Sequence, residues 1–140
     1  MDMTDMSEFP DASFQVVIDK AAMDAIMVKE GDVWNPNFEV VHQTRNMCHH
    51  VSRILVQGGI FLCVSFAQPH FRTKYLLGLW KNQEEEGTVF LHPNNDSDPP
   101  SYSLEFGWSS EVEPIGGKGG CFHHYLYKMK KESPKGRKEP

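Results

Sequence analysis

The chain has 140 residues, of which 39% are hydrophobic and 24% are charged, and its formal net charge is −5. This size and composition predict one globular domain. No apolar run approaches the ~18 residues of a membrane span, and the acidic, turn-rich first residues exclude a signal or transit peptide. Three scattered cysteines (Cys48, Cys63 and Cys121) argue against a disulfide framework and favour a reducing, cytoplasmic location.

Charge is divided unevenly along the chain. Residues 128–140 contain six of the 14 basic residues and two of the 19 acidic ones, so the body that precedes them is strongly acidic. An acidic body is poorly suited to nucleic acid, because phosphate contacts need a basic face. It suits a basic protein partner, although a merely soluble acidic surface explains the same composition.

The first half of the chain reads as strand, helices and strand. Phe14–Asp19 is a short, β-branched apolar run, which predicts a strand buried on both faces. Ala21–Met27 predicts a short helix, and a longer helix with an apolar stripe begins at Phe38 and ends at the glycine pair 58–59. Ile60–Ala67 is again continuously apolar. The order predicts a crossover between two parallel strands.

The second half is less regular. "HFRTKYLLGLW" predicts a helix or an ordered loop, and a polar excursion with a short strand at Thr88–Leu91 follows. Tyr102–Val112 and Cys121–Met129 predict two strands joined by the glycine-rich "EPIGGKGG". We expect one domain over residues 1–129 and a basic, disordered tail over residues 130–140.

Asp19 and Lys20 stand side by side where the first predicted strand ends. In open α/β sheets, ligands bind outside the carboxyl ends of the strands, where an acid and a base can orient a substrate or take a proton. A salt bridge, or an N-terminal cap in which Asp19 accepts a backbone N–H of the next helix, explains the pair equally well.

Other polar clusters are weaker indications of function. Asp2 and Asp5 lie in the opening "MDMTDM"; such an acid can bind an adenine amino group or a ribose, but a lone acid in a turn more often caps the local backbone. The clusters "CHH" and "CFHH" resemble metal ligands. Consecutive helical residues diverge by ~100°, and a strand directs only Cys121 and His123 to one face, so we expect no metal site.

Four segments together resemble the later part of a class I S-adenosylmethionine-dependent methyltransferase: "DMTDMSEFPDASFQVVIDKAAMDA", "HHVSRILVQGGIFLCVSFAQPHFRT", "FGWS" and "FHHYLYKMKK". More narrowly, they resemble the lysine methyltransferases that modify translation elongation factor 1-alpha. The helix end "SRILVQGG" is common to many methyltransferases, whereas "DASFQVVIDK" combined with "PHFRT" and "GWS" is narrower. The match excludes Leu76–Ser103.

The resemblance implies an α/β fold of a particular kind. It is a partial Rossmann-like, seven-stranded methyltransferase fold, in which strands 4 to 7 are present and strands 1 to 2 and most of 3 are missing. Phe14–Asp19 would be the fourth strand and Ile60–Ala67 the fifth, and the last two predicted strands would form the final hairpin. The family sheet contains one antiparallel strand.

The resemblance also implies S-adenosylmethionine as cofactor and assigns residues to it. Asp2 lies where the family's acid faces the adenine, Met3 beside it would offer its backbone, and Asp19 would lie at the methyl-donor end of the fourth strand. Asp19 and Lys20 are the implied catalytic residues: Asp19 would hold or deprotonate the substrate lysine, and Lys20 would shape the donor pocket. Asp24 lies one turn into the following helix.

The sequence also departs from the family. The cofactor loop, an acid followed by alternating glycines, does not occur in it. We therefore expect a truncated protein-lysine methyltransferase for elongation factor 1-alpha, with weak or no cofactor binding by this chain alone. A non-catalytic fragment, or a class I methyltransferase for another protein or a small molecule, are alternatives. Ala21-Ala22 replaces the family's more usual Gly-Thr, which would alter the turn over the methyl donor.

Overall fold

The computed structural model describes residues 5–32, 35–67, 69–83, 87–90, 101–116 and 124–132. In chain order, its elements are β1 (Phe14–Lys20), α1 (Ala22–Met27), β2 (Gly31–Asp32), β3 (Asn35–Pro36), α2 (Phe38–Ile54), β4 (Leu55–Ser65), α3 (Pro69–Leu76), β5 (Trp80–Gln83), β6 (Gly87–Phe90), β7 (Tyr102–Ser103), β8 (Trp108–Ile115) and β9 (His124–Lys131).

Five of these strands form the main sheet, in the order β1–β4–β9–β8–β7. β1 and β4 pair in parallel and are joined through α1 and α2, whereas β9 runs antiparallel to both of its neighbours, β4 and β8. The predicted crossover is therefore confirmed. β7 also pairs antiparallel with β8, so the described sheet contains two strands, β9 and β7, that oppose the direction of β1, where the resemblance implied one. β2 with β3, and β5 with β6, form two separate two-stranded ladders.

Helix α2 carries the apolar stripe that its three- and four-residue spacing predicts. Its buried residues are Val40, Val41, Thr44, Met47, Cys48, Val51 and Ile54. All of them except Thr44 join Met23 and Met27 of α1, together with Phe61 and Cys63 of β4, in one core cluster. The helices thus cover the sheet face that carries Phe61 and Cys63.

The glycine pair 58–59 does not end helix α2, as the sequence predicted. The helix ends at Ile54, and both glycines lie inside β4, where the β1–β4 register shifts between Phe14 and Val16. Gly58 has a φ of +83°, and a Cβ on Gly59 would lie 2.8 Å from the carbonyl oxygen of Val56. Left-handed backbone and close packing both require glycine, so the pair makes an irregularity in a strand.

β1 is not buried on both faces, and that prediction was wrong. Phe14, Val16 and Ile18 are 37%, 49% and 66% exposed, and β1 is an edge strand of the described sheet. Val17 packs against the core and Asp19 is buried, so one face of β1 is covered and the other is open. Composition predicts an apolar strand correctly but cannot show which neighbours cover each face.

Several element boundaries also differ from the predictions. The predicted strand Tyr102–Val112 is broken into β7 and β8 by a turn at residues 104–107, where Gly107 has a φ of +72°. β9 continues to Lys131, beyond the predicted end at Met129, and residues 133–140 lie outside the described part of the chain. Among the described helices, none is long and apolar enough to cross a membrane.

The open face of β1 predicts unequal costs for two isoleucine truncations. Ile54 is 3% exposed, so Ile54→Ala should lower the free energy of unfolding by about 2–5 kcal/mol. Ile18 is 66% exposed, so Ile18→Ala should lower the free energy of unfolding by less than about 1 kcal/mol. Urea unfolding followed by circular dichroism measures both. Equal costs would mean that the open face is covered in solution.

Candidate active site

The candidate site lies where the parallel strands β1 and β4 end at the same edge of the sheet. Their register pairs Asp19 with Cys63 and Lys20 with Val64. The β1–α1 turn therefore lies beside the last residues of β4. The carboxyl ends of parallel strands are where open α/β sheets bind ligands.

Asp19 is 1% exposed, and the chain itself occupies its carboxylate. Its Oδ1 accepts a hydrogen bond from the Ala22 N–H at 2.6 Å, and its Oδ2 accepts one from the Met23 N–H at 3.1 Å. The Cys63 thiol donates to Oδ2 at 3.4 Å. The capping alternative thus describes the local geometry, since these are the free N–H groups of the first turn of α1.

The structure does not bring Asp19 and Lys20 together. Successive side chains of a strand point to opposite faces, so Asp19 faces the helices while Lys20 is exposed on the other side. Asp2 and Met3, the other two predicted site residues, lie outside the described residues. Their contacts with a cofactor remain predictions.

Ala21 connects β1 to α1 in a left-handed conformation, with a φ of +73°. Its N–H donates to the Val64 carbonyl at 3.3 Å, which ties the turn to β4. Such a φ is unfavourable for any residue with a Cβ. Alanine in this turn therefore has a specific effect, which is a strained backbone at the end of the strand.

Asp24 is the centre of a polar network to which the sequence assigned no role. Its Oδ1 accepts hydrogen bonds from the Ser65 hydroxyl at 2.6 Å and from Nη2 of Arg72 at 2.9 Å. Its Oδ2 accepts one from the Phe66 N–H at 3.2 Å. One carboxylate of α1 thereby holds the end of β4 and the guanidinium of α3. Two sequence features could have indicated this network: the segment "PHFRT", which contains Arg72, and an acidic residue one turn into a helix.

Arg72 is buried, being 5% exposed, and Asp24 is its ion-pair partner. Among the described residues, its Nε is the one buried side-chain nitrogen or oxygen without a hydrogen-bond partner. A buried guanidinium needs a carboxylate to offset its loss of hydration. The pair therefore fixes α3 against the end of the sheet.

Three aromatic side chains, Phe66, His124 and Tyr127, lie near the carboxyl ends of β1 and β4. Phe66, the first residue after β4, is 61% exposed, and its ring centroid lies 4.2 Å from that of His124, with the ring planes at 41°. Tyr127, further along β9, donates its hydroxyl to the Ala67 carbonyl at 2.6 Å. Burial raises the pKa of Tyr127, so the hydroxyl remains a donor at neutral pH.

The two described cysteines are buried free thiols. Burial, with the nearby Asp19 carboxylate, raises the pKa of both Cys48 and Cys63 above the ordinary range. They therefore remain protonated and lack the thiolate that a nucleophile or a metal ligand requires. Among the described residues, no group of three histidine, cysteine or acidic side chains could hold a metal ion.

The strained turn predicts that Ala21→Gly stabilises the fold. Removing the Cβ relieves the left-handed strain, which exceeds the entropy that glycine adds to the unfolded chain, so we expect a gain of about 0.5–1 kcal/mol. Ala25→Gly, in the exposed helical interior of α1, is the matched control and should lose about 0.5–1 kcal/mol. Urea unfolding compares the two. A loss for both variants would contradict the strain.

The raised thiol pKa values predict slow cysteine labelling. At pH 8, Cys48 and Cys63 should react with a thiol reagent on the order of 100-fold more slowly in the folded chain than in 8 M urea, because burial suppresses thiolate formation and access. Peptide mapping by mass spectrometry separates them from Cys121. Rapid labelling of Cys63 in the folded chain would contradict the buried hydrogen bond to Asp19.

Comparison with known proteins shows similarity to lysine methyltransferases, although no protein-family model matches the chain. The chain is 32% identical to EEF1A lysine methyltransferase 4 of Bos taurus over 124 residues, which cover 89% of this chain and 38% of that protein. It is 46% identical to the eEF1A lysine and N-terminal methyltransferase of Homo sapiens over 74 residues, which cover 53% of this chain and 10% of that protein.

The fold is similar to that of a Thermus thermophilus protein described provisionally as a DNA modification methylase. The TM-score is 0.50 at 13% identity, and the match covers 99% of this chain and 53% of that one. The same Thermus protein has also been solved in complex with S-adenosyl-L-methionine. This likeness supports the predicted partial Rossmann-like arrangement of strands and helices. The predicted resemblance to eEF1A lysine methyltransferases is confirmed, over a chain that spans 38% of the length of the bovine relative.

Proposed function

We propose that this chain is the acceptor-side part of a protein-lysine N-methyltransferase whose substrate is elongation factor 1-alpha. The observation that carries the proposal is the 32% identity to EEF1A lysine methyltransferase 4 over 89% of the chain. The chain spans well under half of that relative, so activity and substrate are proposed from the similarity. The acidic body, with 19 acidic and 14 basic residues in the whole chain, suits a basic protein substrate.

S-adenosylmethionine is the proposed methyl donor, and it would supply a sulfonium methyl group for displacement by an amine. Of the predicted cofactor residues, only Asp19 lies within the described chain. Its two carboxylate oxygens already accept three hydrogen bonds, and it is 1% exposed, so in this conformation it does not fit a direct cofactor contact. Asp2 and Met3 remain predicted contacts outside the described residues.

The chain's own contribution to the reaction would be to align the lysine amine and help it lose a proton. Aligning a nucleophile can supply much of the rate of a group transfer, and a neutral amine is required. Asp19 was predicted to hold or deprotonate that amine. Its contacts support a positioning role instead, in which it fixes the β1–α1 turn at the strand end. Lys20, exposed on the opposite face, stays a prediction for the donor pocket.

A methyl-transfer assay tests the proposal with the chain as it exists. Because the sequence lacks the family's cofactor loop, we expect the purified chain to transfer radiolabelled methyl groups only slowly, and only at high S-adenosylmethionine concentration, to lysine of purified elongation factor 1-alpha. Mass spectrometry identifies the modified peptide. No transfer, with confirmed folding of the chain, would contradict the catalytic proposal. Calorimetric titration with S-adenosylmethionine then shows whether cofactor binding is the missing step.

Two replacements of Asp19 separate its possible roles. Asn keeps one oxygen acceptor for the first turn of α1 but replaces the other by an NH2 donor, and Ala keeps neither, so for a positioning role Asp19→Asn should retain more methyl transfer than Asp19→Ala. Circular dichroism confirms that each variant folds. Equal losses of methyl transfer in folded Asp19→Asn and Asp19→Ala would instead support the proton-accepting role.

A second candidate is a non-catalytic module. The open face of β1 favours it, because Val16 and Ile18 offer apolar surface beside an edge strand. Exposed apolar patches of this kind mark interaction sites. Pull-down of elongation factor 1-alpha without methyl transfer, lost in Ile18→Lys, would favour this candidate over the enzyme.

A further inference from the structure

Phe66 is an apolar ring that the fold holds in solvent. It is 61% exposed, and its backbone N–H is bound by the Asp24 carboxylate at 3.2 Å. Its ring contacts the imidazole of His124 at a centroid distance of 4.2 Å. At this distance the two rings pack against each other with their planes tilted by 41°, and much of the Phe66 ring stays exposed beside the imidazole; we call this exposed aromatic surface the ring notch.

Hydrogen bonds fix the segment that presents Phe66. The Ser65 hydroxyl donates to Asp24 at 2.6 Å and accepts from the Ala67 N–H at 3.0 Å, while the Ala67 carbonyl accepts from the Tyr127 hydroxyl at 2.6 Å. A loop free to move would bury an exposed phenyl ring, because burial of apolar surface is favourable. Here both neighbours of Phe66 are bound, so the ring stays exposed.

The ring notch lies at the candidate site. Val64, two residues before Phe66, pairs with Lys20 and accepts the N–H of the strained Ala21. Asp24, which binds the Phe66 N–H, belongs to the helix that Asp19 caps. Phe66 and His124 therefore stand at the carboxyl edge of β1 and β4, next to the turn expected to face the methyl acceptor.

We propose that Phe66 and His124 form a cation-binding notch that receives the ammonium side chain of the substrate lysine. This inference rests on the proposed function and names the group that selects the acceptor. The faces of aromatic rings attract cations, and the aliphatic stem of lysine packs well against them. The Asp24 carboxylate, which accepts the Phe66 N–H, is paired with Arg72, so the rings supply the local attraction within an acidic chain.

The notch has a consequence for product binding. Lysine methylation retains the positive charge, and a ring face accommodates a methylated ammonium as well as an unmethylated one. A site of this kind keeps the product amine in place between transfers. It therefore permits successive methylation of one lysine without a different set of contacts for each state.

The test is binding of a small probe, measured by NMR at pH 8 on the whole chain. The probe is Nα-acetyl-lysine methylamide, and Nα-acetyl-norleucine methylamide is its neutral control. We expect the lysine probe to shift the His124 ring signals and to bind more tightly than the norleucine probe. Phe66→Leu keeps apolar bulk but removes the ring face, and should weaken lysine binding about two- to five-fold and abolish the preference over norleucine.

Two further variants make the result specific. Phe66→Tyr keeps a ring face and should retain the preference for lysine. Phe14→Leu removes a partly exposed ring at the far end of β1 and should leave probe binding unchanged. Because Phe66 is exposed, its variants should unfold at the parent's midpoint. Equal lysine binding by Phe66→Leu and the parent, or probe shifts confined to other residues, would overturn the notch.

The probe experiment is independent of catalysis, since it contains no methyl donor. Ring-dependent probe binding in a chain that transfers no methyl groups would overturn the methyltransferase proposal and leave the cation notch intact. Methyl transfer with the same KM for elongation factor 1-alpha in Phe66→Leu and the parent would overturn the notch and leave the enzyme intact.

Discussion

The parallel pairing of β1 with β4 is the constraint on which the candidate site depends. The two strands come from opposite ends of a crossover, and their register is set after the irregularity at the glycine pair 58–59. Beyond it, Asp19 lies beside Cys63 on the face that the helices cover. A slip of one residue would move Asp19 to the open face and leave the first turn of α1 without its acceptor. The glycines therefore act on the site from the other end of the strand.

Two acids close together in sequence have different partners in the structure. Asp19 accepts two hydrogen bonds locally, from the first N–H groups of the helix that follows it, and one from the Cys63 thiol of β4. Asp24 is satisfied at long range, by Ser65, the Phe66 backbone and the buried Arg72. The local acid shapes the turn, and the distant contacts of the other hold three elements together. These different partners explain why Asp19, which the sequence analysis singled out, is enclosed, while Asp24 organises the surface around it.

The sequence predicted what depends on local pattern. The α2 stripe and the capping alternative for Asp19 depend on residues within a few positions of one another, and the crossover follows from the order of such local elements. What failed depended on distant neighbours. The burial of β1 requires knowledge of what lies on its second face, and Arg72 is 48 residues from its carboxylate partner. The glycine pair satisfied the usual sign of a helix end, yet the close approach of the Val56 and Gln15 carbonyls explains its presence in a strand.

The open face of the sheet is itself divided. On the β1 and β4 side it carries Val16 and Ile18 with their register partners Ile60 and Leu62, whereas on β9 and β8 Lys128 pairs with Glu111. Opposite charges are register partners in that half of the face, while the apolar half lies against the β1 edge, where no ladder continues among the described residues. Any further chain segment that extended the sheet there would gain backbone hydrogen bonds and apolar burial together. It would also lie next to the end of β1 and therefore beside the candidate site.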